Sequence, residues 1–175
     1  MADPQTIKEA FERNRKAIEL RPSVGQSTAL TKVRVRDGTT CEIESGSKTL
    51  VCDVGKIEGG NDAGPGPGIF ERSALGSCLA IGYAQQAAVM EVPIDNIEVQ
   101  VESEFDARGQ FGLSDDPPGF KALRYRVMIE SSAPEETVRE LINKADARSP
   151  VLDDFRRPIP VERKVEITST RVKTS

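Results

Sequence analysis

Histidine is absent from the 175 residues, so the commonest general base and metal ligand is missing. Ser-His-Asp triads and zinc sites built on imidazole are therefore excluded. Any chemistry must run on thiol, carboxylate, guanidinium or hydroxyl groups. No apolar run approaches the length of about 20 residues that spans a bilayer, and the opening stretch MADPQTIKEAFERNRK lacks the apolar centre of a secretion signal. A cytoplasmic protein without a membrane partner is expected. There is no basic cluster threaded by aromatics, and 24 Lys and Arg against 28 Asp and Glu leave a net charge of -4. That balance speaks against a nucleic-acid surface. The three cysteines, Cys41, Cys52 and Cys78, form no C-x-x-C pair, and an odd number does not suggest a secreted disulfide framework. Neither the lysine-bearing phosphate loop nor the dinucleotide glycine fingerprint is present, and no internal repeat is found. No cofactor and no metal are implied.

With 37% hydrophobic and 30% charged residues, the chain reads as a globular protein long enough to bury a core. Asp3 and Pro4 read as the cap and first position of a helix running to about Leu20. Three short β-rich stretches follow at 29–36, 40–45 and 49–54, with Asp37-Gly38 as a hairpin turn. Ile97, Val99 and Val101 alternate with polar residues as in a half-buried strand, and a second strand is predicted over 121–129 after an irregular connection at 106–119. Ser132 to Glu135 matches a capping box opening a helix with Val138, Leu141 and Ile142 inward. A last strand is predicted over 161–172, where Val161, Val165 and Ile167 share one parity. Strands grouped between a few helices, without regular β-α-β alternation, make this an α+β fold.

The most informative stretch is GGNDAGPGPGIFERSALGSC, from Gly59 to Cys78. Pro65 and Pro67 set the approach, Pro67 suits a first helical turn, and no proline follows before Met90, so a long helix is predicted. Ala74, Leu75, Cys78, Leu79, Ile81 and Gly82 recur at three- and four-residue spacing, which places Cys78 on the packed stripe. A cysteine in such a place is ordinarily a small core hydrophobe, and that reading stands beside the functional one.

Gly59-Gly60-Asn61-Asp62, Gly64-Pro65-Gly66-Pro67 and Ala74-Leu75-Gly76-Ser77-Cys78-Leu79 together resemble the signature block of the OsmC/Ohr family, the osmotically inducible and organic hydroperoxide resistance proteins. The likeness covers roughly residues 28 to 172, which divides the chain into an N-terminal helical extension, 1–27, and an OsmC-like domain, 28–175. It implies antiparallel sheets packed on a long central helix in an intertwined homodimer. The wholly uncharged run from Ala74 to Met90 is compatible with that burial. It also implies a helix thiol that reduces hydroperoxides, matched by Cys78, and an activating arginine, matched by Arg36, with Arg34 as the alternative.

Two family positions are not kept. The resolving cysteine stands beside a proline at a helix start, and the corresponding stretch here, Arg148-Ser149-Pro150-Val151, carries Ser149, equally a good helix cap. The family glutamate falls on Gly68 or Ile69, and Glu71 is out of phase with it. Cys52, and less so Cys41, is a candidate resolving thiol if its Cα lies within about 7 Å of that of Cys78; otherwise an external thiol must clear the sulfenic acid. Two readings follow: a thiol-dependent hydroperoxide reductase acting in oxidative-stress defence, or an OsmC-fold protein that binds or scavenges a small apolar or electrophilic molecule without turnover.

Overall fold

The structure is a computed structural model and describes residues 3–168. Helix α1 spans Pro4–Leu20, with Asp3 accepting from the backbone N–H of Gln5 and Thr6 and Pro4 opening the first turn. Three antiparallel strands follow, β1 (Thr31–Asp37), β2 (Thr40–Ser45) and β3 (Lys48–Cys52), in the order β1-β2-β3. Their two tight turns each use a glycine in the left-handed region, Gly38 at φ +54° and Gly46 at φ +56°, where a side chain would be strained. Helix α2 then runs from Pro67 to Met90. A two-stranded sheet of β4 (Asn96–Glu104) and β5 (Ala122–Glu130) follows, with the single turn α3 (Ala107–Gln110) between its strands. The described part closes with α4 (Glu135–Asp146) and α5 (Pro150–Arg156).

The core forms where α2 meets β4, β5, α4 and α5. Leu75, Leu79, Tyr83 and Ala87 descend one side of α2 at four-residue spacing and pack with Val92, Leu141, Ala145 and Leu152. Ile97, Val99 and Val101 of β4 face them, and the strand alternates strictly between half-buried and exposed positions. Burying each leucine of this set contributes about 1.5–3 kcal/mol relative to leaving it in water. Helix α1 lies along α2, tied by an ion pair from Lys8 to Glu91.

Several sequence expectations are corrected here. The buried stripe of α2 continues to Tyr83, whereas Ala74 and Ile81, expected inside, are exposed. The stripe repeats every four residues, and the positions one before Leu75 and two after Leu79 turn away from it. The helix expected to open at Ser132 starts at Glu135 behind Pro134; Ser131 instead uses its hydroxyl to accept from Ala133 N–H and to donate to Pro93 O. The last predicted strand does not form over 161–168, where the chain is exposed and unpaired, and its remaining positions lie outside the described residues. Val161 and Ile167, 91% and 90% exposed, have the right alternation but no neighbouring strand among the described residues to pair with.

No helix of the described residues is long and apolar enough to cross a membrane.

Candidate functional site

The loop that delivers α2 is organised by one carboxylate. Asp53, 2% exposed at the end of β3, accepts five hydrogen bonds. They come from the hydroxyls of Thr39 (2.7 Å) and Thr40 (2.9 Å) and from the backbone N–H of Val54, Asn61 and Ala63. These donors, the Thr39 hydroxyl first, hold its carboxyl well below the usual carboxylate range against the opposing effect of burial. The Gly59–Asp62 turn folds over this anchor. A Cβ at Gly60 would stand 2.1 Å from Val54 O, and one at Gly64 would stand 2.6 Å from Val51 O, so only glycine lets the loop close on the strand. Spacing alone did not reveal Asp53, because its donors come from two separated turns.

From this loop Pro67 starts α2, and Cys78 arrives three turns along, half-buried beside the core stripe. The Cys78 Sγ lies 3.4 Å from the Oγ of Ser149. Ser149 is itself buried, 7% exposed, and caps α5 by accepting from Leu152 N–H at 3.4 Å, with Pro150 in the first turn behind it. The hydroxyl oxygen accepts from the backbone, and in its contact with the sulfur either group can be the donor. Two residues 71 apart in the chain thus meet as a thiol and a hydroxyl, a pair that can share a hydrogen bond and cannot form a disulfide.

What holds Ser149 there is a clasp at the end of α4. Asp146 accepts from Tyr83 Oη at 2.6 Å on one carboxylate oxygen and from Tyr125 Oη at 2.8 Å on the other. Helix α2, strand β5 and helix α4 are thereby joined three residues before Ser149. Burial, and then the Asp146 carboxylate, push both phenols above their ordinary value, so each stays a donor at neutral pH. Tyr83 was legible in principle, since it continues the Leu75, Leu79 spacing; Tyr125 and Asp146 carried no signal. Tyr83→Phe, which removes one donor from Asp146 while keeping the ring, is expected to destabilise the protein by about 1–3 kcal/mol in urea unfolding. An unchanged unfolding midpoint would show that the clasp contributes nothing.

The other candidate residues lie elsewhere. Arg36 sits at the irregularity between Val35 and Asp37 of β1, half-exposed, and its Nη2 donates to Glu42 Oε1 at 2.5 Å. Arg34 is likewise paired, with Glu44 at 2.9 Å. Within one chain neither guanidinium contacts Cys78, whose helix packs mainly on α1, β4, α4 and α5. Cys52 is buried at the end of β3, where its direct cross-strand neighbour is Cys41, not Cys78. Gly68 lies against Phe120 and Arg72 and lines a cleft of about 890 Å³ at the start of α2, bounded also by Ser103 and Phe105. Glu71 stands on its rim, exposed. A smaller cleft, about 290 Å³, includes Ser149 in its wall with Asp146, Arg148, Asp153 and Arg156. Among the described residues no group of three or more Cys, Asp or Glu side chains could hold a metal ion.

The family model described as OsmC-like protein matches residues 59–164, which takes in the glycine loop, α2 with Cys78, and Ser149. The chain belongs to the OsmC-like protein family. Solved OsmC-like structures share the fold at low identity. One is an OsmC-like protein from Mycoplasma pneumoniae, with a TM-score of 0.65 and 16% identity over 75% of this chain and 89% of that one. Another is an organic hydroperoxide resistance protein from Legionella pneumophila, with a TM-score of 0.54 and 18% identity over 74% of this chain and 90% of that one. The organic hydroperoxide resistance protein OhrB of Bacillus subtilis is 21% identical over 75% of this chain and 93% of that one, with a TM-score of 0.50. No curated protein matches. The OsmC-like match begins after β3, so Arg36, Cys41 and Cys52 lie outside it.

Proposed function

We propose that this OsmC-like protein reduces organic hydroperoxides at Cys78 and relies on an external thiol to complete the cycle. The observation that carries the reading is the half-buried Cys78 sulfur set 3.4 Å from a buried hydroxyl, on the helix delivered by the family's loop. The Cys78 thiolate attacks the terminal oxygen of the hydroperoxide; an S–O bond forms, the O–O bond breaks, and the departing alkoxide takes a proton to leave as the alcohol. Ser149 donates its proton toward the sulfur and then toward the sulfenic acid, which it cannot convert to a disulfide. An external thiol condenses with the sulfenic acid to give a mixed disulfide and water, and a second thiol releases Cys78.

The protein works in this reading as a cytoplasmic homodimer serving oxidative-stress defence, with residues 1–27 as an extension of an OsmC-like domain at 28–175. Support for the dimer comes from the first sheet, one face of which presents Val33, Val35 and Leu50, each at least half exposed, and from the exposed Ile81 on α2. Arg36 enters only through a second copy, since within one chain Glu42 holds it.

The same serine favours a second reading. Without a resolving thiol in place, Cys78 could capture one equivalent of a peroxide or another electrophile and stop. Incubating the protein with cumene hydroperoxide and dithiothreitol separates the two. Repeated turnover is expected, falling more than about a hundredfold in Cys78→Ser. Consumption limited to one equivalent per chain would replace the reductase reading with stoichiometric scavenging.

A further inference from the structure

The cleft of about 290 Å³ beside Ser149 runs from Asp146 at the end of α4 to Arg156 at the end of α5. It includes none of the residues assigned to the dimer face. One wall residue, Ser149, holds its Oγ 3.4 Å from the Cys78 sulfur. Ser149, Asp153 and Arg156 follow the four- and three-residue spacing that puts side chains on one face of a helix. The rise along α5 sets Arg156 about 10 Å from Ser149, and Arg148 directly precedes the serine. Both acids of the wall are engaged, Asp146 by the phenols of Tyr83 and Tyr125 and Asp153 by Arg157. Arg148 and Arg156 are exposed and make no ion pair among the described residues. The charge left to meet a ligand in this cleft is therefore positive, one guanidinium next to the serine and the other at the far end of α5. Guanidinium groups bind carboxylates through paired N–H donors, so a matching ligand carries carboxylates.

We infer that this cleft docks the external thiol, and that the thiol is a small anionic one: a tripeptide-sized molecule with carboxylates at its ends, about 10 Å long when extended. The inference rests on the hydroperoxide reading for the source of the Cys78 sulfenic acid. Arg148 and Arg156 take the carboxylates, and the thiol between them is presented at Ser149. As thiolate it attacks the Cys78 sulfur; an S–S bond forms, the S–O bond breaks, and the departing hydroxide takes a proton to leave as water. A second molecule of the same thiol attacks the outer sulfur of that mixed disulfide, which returns Cys78 as a thiol and leaves the small disulfide as product.

The test bypasses the peroxide. Cys78 in the otherwise unaltered protein is loaded as a mixed disulfide with 2,2′-dithiodipyridine. Its release by glutathione (anionic), 2-mercaptoethanol (neutral) or cysteamine (cationic) is quenched with N-ethylmaleimide at intervals and followed on the Cys78 peptide by mass spectrometry. In Arg148→Ala/Arg156→Ala the ratio of the glutathione rate to the 2-mercaptoethanol rate is expected to fall about tenfold, while the cysteamine rate stays level or rises. In the wild type the same ratio should fall as salt is added, and Arg148→Lys/Arg156→Lys should recover part of the preference. An unchanged ratio in the alanine variant, an equal loss for all three thiols, or a Cys78 that loads only in denaturant would each overturn the inference. If the ratio falls as expected but the protein shows no hydroperoxide turnover, the reductase reading fails and the thiol-docking cleft stands.

Discussion

Ser149→Cys is expected to form a disulfide between Cys78 and the introduced thiol on treatment with one equivalent of hydroperoxide. The existing 3.4 Å between Cys78 Sγ and Ser149 Oγ, shortened by the longer carbon–sulfur bond, leaves a new sulfur about 1 Å from bonding distance. In the natural chain the oxidised product is a sulfenic acid, which dimedone should trap; in the variant, dimedone labelling should vanish and a reducible internal cross-link replace it. Turnover with a dithiol reductant should then proceed by thiol–disulfide exchange at the internal cross-link instead of by condensation with the sulfenic acid. A side effect runs the other way. Cysteine is a poor helix cap, so losing the hydroxyl that accepts from Leu152 N–H should cost about 0.5–2 kcal/mol. Dimedone labelling undiminished in the variant would mean that the two side chains do not meet in solution as they do in the structure.

The second large effect is expected at Asp53. Asp53→Ala leaves five donors without their acceptor beneath the Gly59–Asp62 turn, and a loss of the order of 10 °C in Tm is expected. The pH dependence has a definite sign. The folded carboxyl is held below its unfolded value of 3.8, so its contribution is complete above that pH and is lost as pH falls through the folded value. The gap in Tm between wild type and Asp53→Ala should therefore be widest and constant from about pH 5 upward and should narrow below pH 4. A gap that stays constant down to pH 2 would remove the carboxylate charge from the explanation. Hydroperoxide turnover should fall with it, because the loop sets where α2 begins.

Local signals made much of this fold legible. Asp3 with Pro4, and Pro67 after Pro65, each announce a helix start through geometry that needs no distant partner, and α1 and α2 begin where those residues stand. Gly38 and Gly46 mark the two hairpin turns for the same reason. The meeting of Cys78 with Ser149 could not be found that way, because residues 71 apart are joined by packing, and only the family resemblance pointed to the pair. The Asp146 clasp shows the limit more sharply, as nothing local distinguishes the carboxylate that receives two phenols from any other on α4. The segment from Val161 fails in the opposite direction. Its alternation is real, but alternation states which face a strand would bury and not whether another strand lies beside it. Cys41 and Cys52 fall between these cases: once the Gly46 turn pairs Ser45 with Lys48, counting back along both strands sets them face to face.

The clasp at Asp146 also makes the protein its own reporter. The chain has no tryptophan and two tyrosines, and both tyrosines are bound to that single carboxylate. Its near-ultraviolet absorbance and intrinsic emission therefore come almost wholly from one corner of the molecule, where a hydrogen-bonded carboxylate quenches phenol light. Opening that corner should brighten the emission without any label, so a simple fluorimeter follows the element that presents Ser149 to the sulfur.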